Sequence, residues 1–396
     1  MYRTEVCVHK RENNKKRNYV LVNKNQCKHV PVNPSKLINE IGMLADRYIS
    51  KFTGGMSADT NFIVIGFAET ATALGFMFGQ RLNSIFKNVY YTHTTREHID
   101  GEFIEFKEEH SHAVEQKLST YLFEKMAEAG KKYNIVFVED EVTTGKTILN
   151  AVRTLRDSGV AKNCESITIA SILNGMTEEQ LGKFGDNGIQ YVYLNKLSEA
   201  SVYTEQAKDI VCNGNYYDVD DMSSLCEPYN SCVYGLKPPL NFTNMGGLIS
   251  KYLNRNLLDS IADLLALSAK QRKMKKVVIV GTEECMTFPI MLANFLDDVT
   301  EHTLELTCHS TTRSPIETSD DTLLKDRVTL PSVYDSDRVT YLYNMMSDDK
   351  GADLVIFVTD GTNDSALNKL ANHYLKRAGA KEAMKVKLYF GCNVED

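Results

Sequence analysis

The chain has 396 residues, 43% of them hydrophobic and 24% charged, with a formal net charge of −7. That length suffices for two domains with sizeable cores, the composition is globular, and the acidic balance argues against bulk electrostatic binding of nucleic acid. No apolar run is long enough to span a bilayer and no secretory leader is seen. The nine cysteines form no CxxC pair and read as reduced thiols, so a cytoplasmic location is expected.

In chain order, Tyr19–Val22 reads as a short strand and Pro34–Ser50 as an amphipathic helix carrying Leu37, Ile41, Leu44 and Ala45. Phe62–Ile65 is a strand, followed by the turn Gly66-Phe67-Ala68-Glu69-Thr70 and an apolar helix. Asn88–Thr92 is another strand, and His112–Ala129 reads as a helix closed by Gly130. A strand over Ile135–Val138 leads into a helix that Gly159 stops. Ile167–Ile172 and Tyr191–Leu194 add two more strands. This alternation predicts a parallel sheet flanked by helices, with ligands at the carboxyl ends of the strands. From about Asn213 to Gly247 the pattern dissolves around Pro228, Pro238 and Pro239. A helix over Leu248–Lys270 follows, with Leu253, Leu257, Ile261 and Leu264 on one face, and then a second α/β block from Val277. The boundaries so drawn are 1–212, a connector over 213–247, and 248–396.

The most informative stretch is Ile135–Thr147. A buried strand ends in two adjacent acids, Glu139 and Asp140. The turn Val142-Thr143-Thr144-Gly145 and a helix beginning near Lys146 and Thr147 come next. Free N–H groups at a helix start, with threonine hydroxyls, can surround a phosphate dianion. Two carboxylates just before them can accept hydrogen bonds from a diol, so the pattern suits a sugar bearing a phosphate. Gly-Lys-Thr also suggests a nucleotide P-loop, but the first glycine of that motif would fall at Asp140.

The second block reads as a worn copy of the first. Ile63–Thr72 aligns with Val278–Thr287 at an offset of 215, Thr94-Thr95-Arg96 with Thr311-Thr312-Arg313 at 217, and Ile135–Asp140 with Val355–Asp360 at 220. Three matches in one order predict a duplicated domain. The copy has Thr359 in place of Glu139 and a new acid, Asp364, near the phosphate turn, so no second complete donor site is expected.

The Glu139–Thr147 motif resembles the phosphoribosyl-pyrophosphate motif of type I phosphoribosyltransferases. With Gly66–Gly75, His93-Thr94-Thr95-Arg96, Glu108-Glu109-His110-Ser111-His112 and Thr312-Arg313-Ser314-Pro315, the chain resembles the two-domain phosphoribosyltransferases of tellurium-resistance-type biosynthetic clusters. In that family a domain similar to orotate phosphoribosyltransferase precedes one named for its Thr-Arg-Ser-Pro motif. The resemblance implies transfer of a phosphoribosyl group from phosphoribosyl pyrophosphate, with Mg²⁺ as cofactor, to an acceptor that the motif leaves open, in the making of a nucleoside-like metabolite. Neither nucleic acid nor membrane is implied as a partner, and a homo-oligomer is compatible.

The resemblance implies that Glu139 and Asp140 grip the ribose hydroxyls and that Val142, Thr143, Thr144, Gly145, Lys146 and Thr147 form the phosphate loop. Lys146 points either at that phosphate or to solvent. Ala68, Glu69, Thr70, Thr95 and Arg96 would face pyrophosphate. An arginine fork suits such an anion, the alternative being a helix cap at Thr70 and a surface ion pair at Arg96. In the family a mobile segment here, Glu97–Lys107, closes over the reaction, and Lys107, His110 or His112 would contact leaving group or acceptor. A solvated loop is the other reading. Thr312 and Arg313 are candidates for an acceptor or interdomain site, against a structural ion pair. The catalytic set is then Arg96, Lys107, Glu139 and Asp140, and Mg²⁺ would be held mainly by substrate, with Glu139 and Asp140 as the protein ligands available. A phosphoribosyltransferase fold kept only to sense a nucleotide is the alternative in kind.

Overall fold

The computed structural model describes residues 3–12, 17–97, 101–106, 116–219, 229–236, 247–249 and 255–390. Two compact units emerge. Unit 1 comprises Met1–Thr4, Ile38–Ser198 and Lys237–Leu253, and unit 2 comprises Glu5–Leu37, Glu199–Leu236 and Asn254–Asp396. These units cut the chain differently from the sequence boundaries at 212 and 248.

The chain opens with β1 (Val6–Lys10), β2 (Tyr19–Asn23) and α1 (Pro34–Phe52). Then come β3 (Asn61–Gly66), α2 (Ala71–Asn83), β4 (Asn88–His93), β5 (Phe103–Phe106), β6 (Gln116–Ser119) and α3 (Tyr121–Glu128). β7 (Tyr133–Val142), α4 (Lys146–Asp157), β8 (Cys164–Asn174), α5 (Glu178–Asp186), β9 (Ile189–Lys196) and α6 (Ala200–Asp209) follow. Three short strands are next: β10 (Asn215–Asp218), β11 (Tyr229–Leu236) and β12 (Gly247–Leu248). The last part runs α7 (Arg255–Arg272), β13 (Lys276–Gly281), α8 (Thr287–Val299), β14 (Glu305–Ser310), β15 (Asp326–Pro331) and β16 (Val339–Tyr343). It closes with β17 (Leu354–Thr359), α9 (Asp364–His373), a π-helical turn Tyr374–Ala378 and β18 (Glu382–Phe390). No helix among the described residues is long and apolar enough to cross a membrane.

Unit 1 is built on a six-stranded sheet of order β12-β4-β3-β7-β8-β9. β4, β3, β7, β8 and β9 run parallel, and β12 pairs antiparallel with β4. The central strands read as continuous apolar runs because helices cover both faces, and Phe62, Ile63, Val64 and Ile65 are fully buried. α2 crosses β3 so closely that a Cβ on Gly66 would lie 2.1 Å from the Ala71 carbonyl oxygen, and one on Gly75 would lie 2.8 Å from Gly66 Cα. These two glycines let the helix start directly over the strand end.

Two sequence expectations need correction. Of the helix expected over His112–Ala129, the described residues form a helix only in α3. Gln116–Ser119 is instead a strand, held by antiparallel pairing to Phe103–Phe106. The stretch 213–247, read from sequence as a linker or a long ordered connector, includes β10 and β11, which pair in parallel with β15 and β18. Of the helix expected over Leu248–Lys270, the described residues show α7 from Arg255, whereas Leu248 itself pairs with Tyr90. The buried stripe of α7 is Leu258, Ile261, Leu265 and Ala269, while Leu264 is exposed.

Unit 2 carries a parallel sheet of order β11-β18-β17-β13-β14, an antiparallel pair β1-β2, and a three-stranded sheet β10-β15-β16. Reversed, its main order is β14-β13-β17-β18-β11, which matches β4-β3-β7-β8-β9 position by position. Register agrees as well: Gly66 faces His93 and Ile65 faces Phe137, as Gly281 faces Ser310 and Val280 faces Phe357. The loop hydrogen bonds repeat. Thr94 N–H donates to Gly66 O at 2.9 Å and Ala68 N–H to Thr94 Oγ1 at 2.8 Å. Thr311 N–H donates to Gly281 O at 3.0 Å and Glu283 N–H to Thr311 Oγ1 at 3.0 Å. The duplication expected from sequence therefore extends to topology, register and individual bonds. One position departs, since β11 fills the place of β9 from an earlier part of the chain.

Two outcomes follow from this packing. Gly66→Ala forces a Cβ onto the α2 backbone and should cost about 1–3 kcal/mol, the range for overpacking. An unchanged denaturation midpoint would contradict the close crossing. A fragment of residues 248–396 lacks β1, β2, β10 and β11, and should aggregate or lose amide protection in β14 and β18. Full-chain protection in that fragment would refute the division described.

Candidate active site

β7 does not stop at Val138. It continues through Glu139, Asp140 and Glu141 to Val142, so the acid pair stands on the strand rather than in the turn. Ladder bonds to β8 set Glu139 opposite Ser171 and Val142 opposite Asn174. The acids also organise their own backbone: Asp140 N–H donates to Glu139 Oε1 at 3.0 Å, and Glu141 N–H to Asp140 Oδ1 at 2.8 Å.

The turn after Val142 reaches α4 through Gly145, which has φ 72°. A Cβ there would lie 2.6 Å from the Phe184 ring and 2.7 Å from Met176 Sδ, so glycine is required on two counts. Thr144 and Lys146 are exposed and Thr143 and Thr147 half-buried, while Ile148, Ala151, Val152 and Leu155 anchor α4 on the sheet. Lys146 N–H donates to Thr144 Oγ1 at 3.5 Å, and a helix start beside exposed threonine and lysine side chains is an arrangement suited to an anion.

Alongside, Gly66–Thr70 joins β3 to α2, with a cis peptide bond between Ala68 and Glu69. Its conformation is fixed from three sides. Phe67 N–H donates to Val138 O at 3.1 Å, Ala68 N–H to Thr94 Oγ1 at 2.8 Å, and Thr72 Oγ1 to Glu69 O at 3.1 Å. The Thr94 hydroxyl donates in turn to Gln116 Oε1 at 2.7 Å, and Gln116 Nε2 donates to Ala68 O at 3.4 Å. Thr70 occupies the N-cap position of α2 without a side-chain cap bond. Thr95 exchanges two 2.8 Å backbone bonds with Lys117, and its hydroxyl accepts from Glu97 N–H at 2.9 Å.

Electrostatics join the two loops. Desolvation pushes the Glu139 carboxyl well above its ordinary value, aided by the charge of Asp140 and a hydrogen bond with it. The Asp140 amide and the Arg96 guanidinium oppose the rise. Half-buried Arg96 thus contributes an opposing charge at Glu139. Burial likewise raises the Tyr191 phenol, with Glu139 adding to the shift. Among the described residues no three His, Cys, Asp or Glu side chains form a metal cage. Glu139 and Asp140 suit a Mg²⁺ that takes its other ligands from substrate oxygens and water.

Glu139 and Asp140 thus stand at the carboxyl end of β7, and Arg96 lies beyond the carboxyl end of β4, two strands away in the same sheet. Lys107, His110 and His112 lie outside the described residues, and so do parts of the segment Glu97–Lys107, of which Phe103–Phe106 is a paired strand. Thr312 and Arg313 belong to unit 2, where Arg313 Nε contacts Glu283 Oε2 at 3.0 Å. Sequence reasoning missed Gln116, because its segment reads as helix, and Tyr191, which looks like ordinary strand core.

The raised Glu139 sets a pH dependence. The folded chain binds a proton there more tightly than the unfolded chain, whose carboxyl titrates near 4.5. Stability therefore falls as pH rises from about that value through the raised one. Glu139→Gln should melt higher than wild type at neutral pH, with the difference vanishing near pH 4. A gap that stays constant with pH would contradict the assignment.

Comparison with known proteins adds the following. The family model described as Phosphoribosyl transferase matches residues 7–190, and that described as TRSP domain C terminus to PRTase_2 matches residues 248–374. No curated protein matches. Among solved structures, the adenine phosphoribosyl transferase of Trypanosoma brucei is 19% identical with a TM-score of 0.30, over 41% of this chain and 65% of that one. Its counterpart from Giardia lamblia is 15% identical with a TM-score of 0.33, over 49% and 94%. A hypoxanthine phosphoribosyltransferase of Staphylococcus aureus is 11% identical with a TM-score of 0.25, over 44% and 79%. The two successive family matches support a two-domain phosphoribosyltransferase, a phosphoribosyl transferase domain followed by a TRSP domain.

Proposed function

We propose that unit 1 transfers the phosphoribosyl group of phosphoribosyl pyrophosphate to a base-like or small-molecule acceptor, releasing pyrophosphate, in cytoplasmic synthesis of a nucleoside-like metabolite of the tellurium-resistance-cluster type. The observation that carries this reading is the acid pair on the end of β7, with the open N-terminus of α4 on one side and the Arg96 charge on the other. Two carboxylates accept from the ribose diol. The α4 amides and threonine hydroxyls take the 5′-phosphate. Arg96, with Glu69 and Thr70 at the far end of the Gly66–Thr70 loop, takes the pyrophosphate, whose departure leaves positive charge on the sugar as at other glycosyl centres.

Most of the rate then comes from holding the sugar, since binding energy at the remote phosphate can be used for orientation. Bound Mg²⁺ would supply charge neutralisation of the pyrophosphate. The raised Glu139 fits this scheme: its charged form is disfavoured in the empty site and becomes favourable when a diol or cation satisfies it.

The test is the double variant Glu139→Gln with Asp140→Asn. Losing hydrogen bonds to charged groups, about 1.5–3 kcal/mol each, should weaken donor affinity more than tenfold while the fold persists. Calorimetry with phosphoribosyl pyrophosphate and Mg²⁺ reads the affinity. A screen of nucleobases and small amides for pyrophosphate release reads turnover. Unchanged affinity in the folded variant would sink the assignment, and tight donor binding without turnover on any acceptor would favour a sensor.

A further inference from the structure

The copy of this frame in unit 2 holds four donors that converge on one side chain of the chain itself. Glu283 corresponds to Ala68 at the offset of 215, and its amide makes the same bond to a threonine hydroxyl. Its side chain is fully buried. Arg313 Nε and Arg338 Nη2 each lie 3.0 Å from Oε2. Ser332 Oγ donates to Oε1 at 2.6 Å and Val333 N–H at 3.3 Å. Two guanidinium groups, a hydroxyl and an amide are what a phosphate or carboxylate ligand would call for. Arg313 is moreover the counterpart of Arg96.

The phosphate turn shows the same substitution. α9 begins at Asp364, four positions after Asp360, whereas α4 begins at Lys146, six after Asp140. At that helix start the Asp364 carboxylate lies 2.8 Å from Lys387 Nζ and 3.2 Å from Lys385 Nζ. Both lysine side chains are over nine-tenths buried, at 8% and 9% exposed. Asp364 is partly desolvated, which alone would raise it, yet the hydrogen bonds and charges of Lys387 and Lys385 hold it below its ordinary value. Between the two, the ribose acid is tied up as well: Tyr334 OH donates to Asp360 Oδ1, and Thr359, which replaces Glu139, accepts from Gly361 N–H at 2.9 Å.

We infer that unit 2 is a phosphoribosyl-diphosphate site whose anion subsites are filled by the chain's own carboxylates, Glu283 in the pyrophosphate subsite and Asp364 in the 5′-phosphate subsite. The donor sets remain; the ligand has become internal. Unit 2 therefore takes no donor in the intact protein, and removing either carboxylate opens a subsite for a small oxyanion. The subsite names rest on the phosphoribosyl-transfer reading of unit 1, whereas the test uses neither donor nor turnover, so the two stand or fall separately.

The test uses the full chain in chloride, acetate and inorganic phosphate at matched ionic strength, with wild type as baseline for anions held by unit 1. Glu283→Ala should melt below wild type in chloride. Acetate should then raise it by roughly 3–6 °C more than it raises wild type, by mass action on the vacated site. Adding Arg313→Met should abolish that extra shift. Asp364→Ala, at a half-exposed position, tests the other subsite should Glu283→Ala fail to fold. Phosphate should stabilise it beyond wild type, and Lys387→Met should remove the gain. Anion shifts no larger in either folded variant than in wild type would overturn the inference.

Discussion

The hydrogen bond from a loop amide to the hydroxyl of a threonine just beyond the neighbouring strand fixes this architecture. β3 and β13 are buried on both faces, so the loop leaving each must find partners for its amides away from water. Thr94 and Thr311 supply them, from the strand next door in each sheet. Because the same residues also bond back to Gly66 O and Gly281 O, loop and strand end lock together. The helix can then start immediately over the strand, which is why glycine stands at Gly66 and Gly281. A Cβ on Gly281 would lie 2.8 Å from the Cys285 carbonyl oxygen. Whatever the loop carries is presented at the carboxyl edge of the sheet, where ligands of α/β proteins bind.

On that shared frame the electrostatics diverge. Unit 1 leaves Glu139 in a state that disfavours its charge, with Asp140 adjacent and Arg96 only partly compensating. Unit 2 answers two of its carboxylates internally, Glu283 by two arginines and Asp364 by two lysines. The first arrangement costs stability and gains from a ligand. The second is satisfied without one, as buried charges ordinarily must be. The electrostatic difference between the copies thus resides in a few side chains at strand ends and in the loops beyond them.

Much of this was legible in the sequence because local patterns carried it. Ile63–Ile65, Ile135–Val138 and Ile148–Leu155 announce strand, strand and helix from periodicity alone, and the acid pair with Thr-Thr-Gly-Lys-Thr announces the anion loop. The unread parts depend on distant pairing. Gln116–Ser119 is polar and short, and becomes a strand through Phe103–Phe106. Asn215–Asp218 is largely exposed and is a strand only against Asp326–Thr329. The charge-neutralising role of Glu283 had no sequence signal, since Ser332, Val333 and Arg338 reach it from far along the chain.

The displaced strand β11 explains why the chain divides as it does. In unit 1 the position beside β8 is filled by β9, which comes directly after it in sequence. In unit 2 the position beside β18 is filled by β11, which precedes the whole block. A parallel ladder asks only that a strand arrive in the right direction, and loop-closure cost rises slowly with length, so the source of that strand is free to change. Residues 28–32 show the same liberty: Val32 bridges Cys308 and Lys28 O accepts from Ser310 N–H at 3.0 Å, covering the outer edge of β14. An exposed parallel edge invites association with other chains. By drawing both segments from N-terminal to its own block, unit 2 extends its sheet with β11 beside β18 and covers the β14 edge with residues 28–32.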